Sequence, residues 1–262
     1  DNQLCLFDPN ASEIGRLRLI QTLIARRTRG DGGTVPSLDA PPWTTVRGLL
    51  RSRRSVRDAI DRLERTAPGM VQVRKDALED FGDSRLEALT DILADIFGAE
   101  KDRERIGKPA RAPEKIVVVA GDAGTIDMLQ AVLPRYFPDL APDGIAALRR
   151  SMAASESSFE DIRAMQQAIE PFVQGPARIL LIGDWIQAGL NLQHSARNMI
   201  FYSMPWDPQA IDQLIGRIDR LSQGSIRAAR HGHHMPARIR LWRLVMRGSP
   251  EEGSSNALGA QG

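Results

Sequence analysis

Apolar residues recur at helical spacing from Ile14 to Arg29 and again from Val46 to Thr66, where Leu49, Leu50, Val56, Ile60 and Leu63 fall on related faces. The run RGDGGTVPSLDAPP between them is rich in breakers, so the first third of the chain reads as helices around a loop. Ser84 followed three residues later by Glu87 has the form of a capping box and predicts a helix through ALTDILADIF. A polar, charged link is expected over Ala99 to Glu114. In KIVVVAGDAGTIDMLQAVL the period changes: a continuous apolar run ends at Gly121 and helical spacing resumes at Thr125, predicting strand, turn and helix. The same grammar returns in FEDIRAMQQAIEPFVQGPARILLIGDWIQAGLNLQ, with a helix, a Gly-Pro break, a strand from Arg178 to Ile182 and a glycine-bearing loop. NMIFYSMP then reads as a strand, PWDPQAIDQLIGRIDRLSQ as a helix and ARIRLWRLV as a further strand. Strands apolar on every residue are those buried on both faces. The alternation therefore predicts an α/β fold with a parallel sheet covered by helices on both faces. Ligands of such sheets sit at the carboxyl ends of the strands.

The expected division is a helical attachment over 1–80, an α/β lobe over 81–247 and a small, polar, flexible tail over 248–262. With 262 residues, 42% hydrophobic and 26% charged, the chain can bury a sizeable core, and no apolar run approaches the roughly 20 residues of a membrane span. The single cysteine, Cys5, allows neither an internal disulfide nor a thiolate-rich metal site, which fits a cytoplasmic or nucleoid-associated location. The chain opens at Asp1 with no charged-then-apolar leader, so further sequence upstream is expected.

Net charge is only +2, but the distribution is uneven: from Arg217 to Arg247 there are eight arginines and one acid, Asp219. Guanidinium forks match phosphate oxygens, so this stretch can meet a nucleic-acid backbone. Arginine also outnumbers lysine throughout the chain, and a general preference for it accounts for the pattern equally well. Two loops at predicted strand ends, one with Gly121 and Asp122 and one with Gly183, Asp184 and Gly189, combine glycine with an acid and expose backbone donors of the kind that approach phosphates. Gly-Asp after a strand is also ordinary turn chemistry. Asp184 stands where nucleotide hydrolases hold magnesium, but no G-x-x-x-x-G-K-[ST] loop exists in the chain to cradle a triphosphate, and that reading is rejected. The histidines of HGHH, His231 to His234, are crowded in a loop rather than spaced to converge, so no metal site is expected. Ser84, Ser195 and Cys5 have no partner pattern for nucleophilic catalysis.

Taken in order, AGLNLQ at Ala188 to Gln193 and PWDPQAIDQLIGRIDRLSQ at Pro205 to Gln223 resemble the C-terminal RecA-like lobe of superfamily 2 helicases and translocases, in particular the Swi/Snf and RapA-like branch. Pro-Trp-x-Pro followed by Gln-x-x-Gly-Arg-x-x-Arg-x-x-x-Gln carries most of the specificity. DSRLEALTDIL is similar to the family's lead-in helix, KIVVVAGDAGTIDMLQAVL to its motif IV strand and helix, and IRLWRLVMRGSPEE to its closing strand, so the likeness extends from Phe81 to Met246. GLLRSRRSVRDAIDRL is similar to a helix preceding this lobe in RapA-like proteins.

The resemblance implies roles for particular residues. Gln213, Gly216, Arg217 and Arg220 fall on motif VI, whose arginines in the family reach across a cleft as arginine fingers toward ATP held by the other lobe. Positions three apart share a helical face, so both guanidinium groups could converge on a terminal phosphate. Spacing alone also allows both to pair with Asp212, Asp219 or a neighbouring helix. Gly189 and Asn191 match motif V, which in the family touches nucleotide on one side and nucleic-acid backbone on the other. Gly183 stands where serine or threonine is common, and Ala188 where glutamate or glycine is usual, which puts hydroxyl contacts to phosphate in doubt. Gly121, Asp122, Gly183 and Asp184 are the candidate nucleic-acid contacts. Trp185 reads as core and Trp206, framed by prolines, as a fixture for the entry of the arginine helix. The cofactors implied are ATP and Mg2+, held mainly by a first RecA-like lobe in the same polypeptide or a separate subunit, and the implied nucleic acid is double-stranded DNA. The alternative is a helicase-like scaffold that binds DNA or protein without enzymatic activity.

Overall fold

The structure, a computed structural model, describes residues 2–10, 13–18, 20, 21, 49, 56–61, 83–106, 113–149, 159–184, 192, 195–205, 207–218 and 239–252. Its frame is a six-stranded sheet in the order β1-β6-β5-β2-β4-β3, with every neighbouring pair parallel. The strands are β1 (Asn2–Phe7), β2 (Ile116–Gly121), β3 (Ile145–Ala147), β4 (Ile179–Gly183), β5 (Asn198–Phe201) and β6 (Arg240–Met246). Among the described residues, the helices that cover them include α1 (Ser84–Arg105), α2 (Ala123–Tyr136), α3 (Phe159–Val173) and α4 (Pro208–Ile218).

Every residue of β2, β4 and β5 is buried, as a strand covered on both faces requires. Alternate residues feed two cores. Val117, Val119, Leu180, Ile182, Met199 and Phe201 pack with Ile169 and Phe172 of α3 and Ile211, Leu214 and Ile218 of α4. Ile116, Val118, Ile179, Leu181 and Ile200 pack on the other side with Leu89, Leu93 and Ile96 of α1 and Ile126, Leu129 and Leu133 of α2. The expected α/β sheet with helices on both faces is therefore what the chain forms.

Several elements differ from the expectation. Residues 2–7 are not part of a helical attachment but a strand, β1, in parallel register with β6 from Asn2 opposite Leu241 to Phe7 opposite Met246. Residues 13–18 and 56–61 are helical as expected, while the loop between them lies outside the described residues. The cap of α1 is Asp83 rather than Ser84: the Asp83 carboxylate accepts from the Leu86 amide at 3.0 Å, and the Ser84 hydroxyl instead accepts from the Asn10 side chain at 3.3 Å. A carboxylate is the better partner for the positive end of a helix, and the displaced serine is left for a tertiary contact. The charged link is shorter than its composition suggests, because α1 continues through Lys101 to Arg105 and ends with Arg103 and Arg105 in its last turn, where cations suit the helix dipole. Strand β3, with only three residues, has no sequence signal of its own. It forms because the Gly144 carbonyl accepts from the amides of Arg178 and Ile179, leading the chain into register beside β4. A Cβ at Gly144 would meet the Leu140 Cα at 2.6 Å, so only glycine fits there. The flexible tail expected over 248–262 is ordered at its start, where Ser249 and Glu251 are buried and residues 250–252 are helical; the chain beyond residue 252 lies outside the described residues.

The amino-terminal edge of the sheet is held by paired charges. Glu114 accepts from Arg197 Nε at 2.6 Å and from the buried Asn198 amide at 2.9 Å, while Arg240 donates to Asn198 at 2.9 Å. Glu100 of α1 pairs with Arg178, whose guanidinium lies 4.2 Å from the Phe97 ring centre. Lys115 donates to the carbonyls of Phe172 and Gly175, and burial pushes its amine below the ordinary lysine range. Among these anchors Phe172 is fully buried and carries Lys115 5.4 Å from its ring centre. Phe172→Ala is expected to cost about 3 to 5 kcal/mol, read as a lowered midpoint in urea unfolding followed by far-ultraviolet circular dichroism.

Candidate nucleotide and nucleic-acid interface

Parallel strands send their carboxyl ends to one edge, and there the two glycine-acid loops meet. β2 ends at Gly121 with φ of 93°, a conformation that favours glycine, and the register against β4 shifts at this point. The Asp184 amide, just after β4, donates to the Gly121 carbonyl at 3.2 Å, so the motif IV and motif V positions are direct neighbours. Asp122 is the N-cap of α2, its carboxylate accepting from the Thr125 amide at 2.8 Å. Its first task is therefore the structural turn that the sequence also allowed. Gly183 is buried at the end of β4 and Asp184 is half-buried beside it. Gly189, Asn191 and the tryptophans Trp185 and Trp206 lie outside the described residues, as does the histidine loop from His231 to His234. Among the described residues no cluster of His, Cys, Asp or Glu could hold a metal ion, and no helix is long and apolar enough to cross a membrane.

Next along this edge, β5 leads through buried Tyr202, Ser203, Met204 and Pro205 into α4. Ile211, Leu214 and Ile218 are buried beneath the helix, spaced as one face of an α-helix. Asp212 and Gln213 are exposed on the far side. At 100° per residue, position 217 lies one turn beyond Gln213 in the same row. The backbone of Arg217 is part of α4, and Arg220 lies outside the described residues. A Cβ placed on Gly216 would meet nothing within 4 Å, so neither packing nor a special φ demands glycine here.

A third feature of this edge was missed by sequence reasoning. Arg85, on the first turn of α1, is among the largest fully buried side chains. It donates from Nη1 to the Tyr202 carbonyl at 2.5 Å and from Nη2 to the Glu251 carboxylate at 2.5 Å. The Tyr202 hydroxyl donates to Asp83 at 3.3 Å, and Arg85 lies 5.4 Å from the ring centre of Phe7 and 5.9 Å from that of Tyr202. Nearby, buried Glu13 exchanges two hydrogen bonds with Asn10 and pairs with Arg16 at 3.2 Å. The one available signal was that Arg85 stands four residues before Leu89, next to the apolar row of its helix. Burial pulls the Arg85 guanidinium down, and the Glu251 carboxylate more than restores it.

Comparison with known proteins bears on this arrangement. Residues 159–222 match the family described as the helicase conserved C-terminal domain. The chain is 27% identical over 117 residues to the RNA polymerase-associated protein RapA of Vibrio cholerae, covering 44% of this chain and 11% of that protein. Against RapA of Sodalis glossinidius the identity is 27% over 145 residues, covering 54% of this chain and 12% of the relative. The chain thus spans about a ninth of the length of the curated relatives it matches. Among solved structures, the C-terminal part of the Fun30 ATPase domain superposes with a TM-score of 0.57 at 14% identity, covering 97% of this chain and 87% of that one. The chain has the fold of that C-terminal ATPase lobe, and its residues 159–222 resemble the helicase conserved C-terminal domain. A Sulfolobus solfataricus SWI2/SNF2 ATPase core in complex with double-stranded DNA has the same fold, with a TM-score of 0.53 at 14% identity over 99% of this chain and 43% of that chain.

The lobe's buried phenol gives a test of the carboxyl edge. Burial, and then the Asp83 carboxylate, raise Tyr202 well above the ordinary tyrosine value of 10.0. The unfolded chain therefore loses this proton first as pH rises. The contribution of Tyr202 is complete below about pH 10 and fades above it, by at most about 1.4 kcal/mol per pH unit. In urea titrations between pH 9 and pH 11, on the scale of the ordinary tyrosine pKa, Tyr202→Phe should start less stable, having lost the bond to Asp83, and decline less steeply than the parent chain.

Proposed function

We propose that this chain is the second motor lobe of an ATP-driven translocase on double-stranded DNA, and that it works only against a first RecA-like lobe. That lobe would supply the phosphate loop and hold most of the ATP and Mg2+. Closure of the cleft between the lobes would couple hydrolysis to movement along DNA. In this reading Arg217 and Arg220 are the fingers that reach the terminal phosphate. Gln213, Gly216, Gly189 and Asn191 line the nucleotide side, and the loops of Gly121, Asp122, Gly183 and Asp184 face the DNA backbone. Phosphate contacts of this kind position a strand without reading its sequence. The residues that hold the cofactors in the first lobe are not part of this chain, so the chemistry here is confined to supplying positive charge to the transferred phosphoryl group.

The observation that carries the reading is the outward row of α4. Buried Ile211, Leu214 and Ile218 fix the helix to the sheet, Asp212 and Gln213 are exposed on its other side, and a Cβ at Gly216 would meet nothing within 4 Å. Glycine inside a helix costs roughly 1 kcal/mol relative to alanine. In this reading the glycine at 216 keeps that face open for nucleotide or the opposing lobe.

Two experiments test this. With the chain joined to its first lobe, Arg217→Ala and Arg220→Ala should each lower DNA-stimulated ATP turnover roughly a thousandfold to a hundred-thousandfold, the range an arginine finger provides, while DNA binding in a filter assay largely survives. Arg227→Ala, outside the motif, serves as the control and should leave turnover nearly as it was. Parent-like turnover in both motif variants would return the lobe to the scaffold reading. Separately, Gly216→Ala should raise the urea midpoint of the chain, a gain of about 0.5 to 1 kcal/mol, and yet reduce turnover in the joined protein. A glycine with no outside neighbour would yield the stability without the loss.

A further inference from the structure

The cluster around Arg85 is an inefficient way to hold a fold together. Removing two charges from water is costly, and their attraction repays it only when the remaining hydrogen-bonding capacity is used. Here the Arg85 Nε is buried with no hydrogen-bond partner, so that capacity is not fully used. What the fork does achieve is directional. Nη1 of the guanidinium holds a single backbone carbonyl, that of Tyr202, and reaches Glu251 Oε1 at 3.5 Å, while Nη2 is fixed by Glu251 Oε2. On the other side of the same peptide, the Ser203 amide donates to the Val119 carbonyl of β2 at 3.1 Å. The peptide joining Tyr202 and Ser203 is thus pinned from both directions at the point where β5 ends. From there buried Ser203, Met204 and Pro205 carry the chain toward exposed Asp207 and α4.

We propose that Arg85, clamped by Glu251, is a positioning residue for the arginine-bearing helix: it sets the direction in which the chain leaves β5 and hence where the outward row of α4 stands. The anchor itself is assembled from distant stretches. Phe7 closes β1, Asp83 and Arg85 open α1, and Glu251 follows β6, so the ends of three elements agree on the position of one carbonyl. The role assigned to Arg85 rests on the reading of α4 as the finger helix, but the pinning can be measured without it.

The decisive variant replaces the pair together, Arg85→Met with Glu251→Leu, because an apolar pair of similar size commonly keeps the stability of a buried ion pair while losing its direction. Hydrogen exchange of the 262-residue chain is compared by mass spectrometry with that of the parent. The expected result is an unchanged urea midpoint together with exchange about tenfold faster, or more, across residues 202–218, and little change in α2 or β2. Parent-like exchange over residues 202–218 overturns the proposal. Equal acceleration in α2 and α4 with a lowered midpoint also overturns it, since the pair would then be general support. Arg85→Lys, which can reach one partner at a time, should recover part of the protection. In the protein joined to its first lobe, the double variant should lower kcat about ten- to a hundredfold with KM for ATP unchanged, the penalty of a slightly misplaced group. Unchanged kcat beside an active Arg217 overturns the proposal. Where Arg217→Ala itself leaves kcat untouched, the finger reading fails first, and exchange alone decides whether the pin exists.

Discussion

A strand covered on both faces cannot carry polar side chains along its length, so the chemistry of this lobe is forced to the two ends of its sheet. Val117, Val118 and Val119 in β2 and Leu180, Leu181 and Ile182 in β4 have essentially no exposure, and each contributes to one core or the other. The two ends are used differently. At the amino ends, Arg178 pairs with Glu100, and Arg197 and Arg240 both pair with Glu114, which leaves a structural edge. At the carboxyl ends, two glycine-acid turns and the exit of β5 stand side by side, and α4 keeps one face turned away from the protein.

The same constraint decided what could be read from the sequence. β2 and β4 are continuous apolar runs and β5 is one after Asn198, because every position meets a helix layer, and such runs are visible without a structure; β6 carries Arg240 and Arg243 among its apolar residues. β1 was not, since it lies at the sheet edge, begins with polar Asn2 and Gln3, and becomes a strand only by pairing with residues at the opposite end of the chain. β3 depends in the same way on a carbonyl at Gly144 rather than on its own three residues. The last turns of α1 looked like a linker because they are charged throughout. Good helix formers and a bond from Glu100 to Arg178 carry the helix on regardless.

The candidate site divides along similar lines. The helix that carries Gln213, Gly216 and position 217 was legible because its spacing is local and its wording is specific. The turn at Asp122 was legible as a turn, and its carboxylate serves as a cap. The buried fork of Arg85 was not legible. Its partners come from residues 202 and 251, and the spacing to Leu89, which places Arg85 beside the apolar row, does not reveal which groups a guanidinium there would meet. Local periodicity carries elements and motifs, while agreement between remote segments has to be seen in space.

The pairing of β1 with β6 also bears on how the lobe comes into being. During synthesis the strand at residues 2–7 emerges before the other described strands, and its partner at 241–246 is made only when nearly all of the described sheet already exists. The central strands β2, β4 and β5 can begin to associate earlier, but the row of hydrogen bonds on β6 that receives β1 is absent until then. Contacts of such separation are slow to form and leave a strand unpaired while it waits. The first stretch of the sheet to be made is thus among the last to take its place, and the outer edge of the lobe closes only as translation passes its far end.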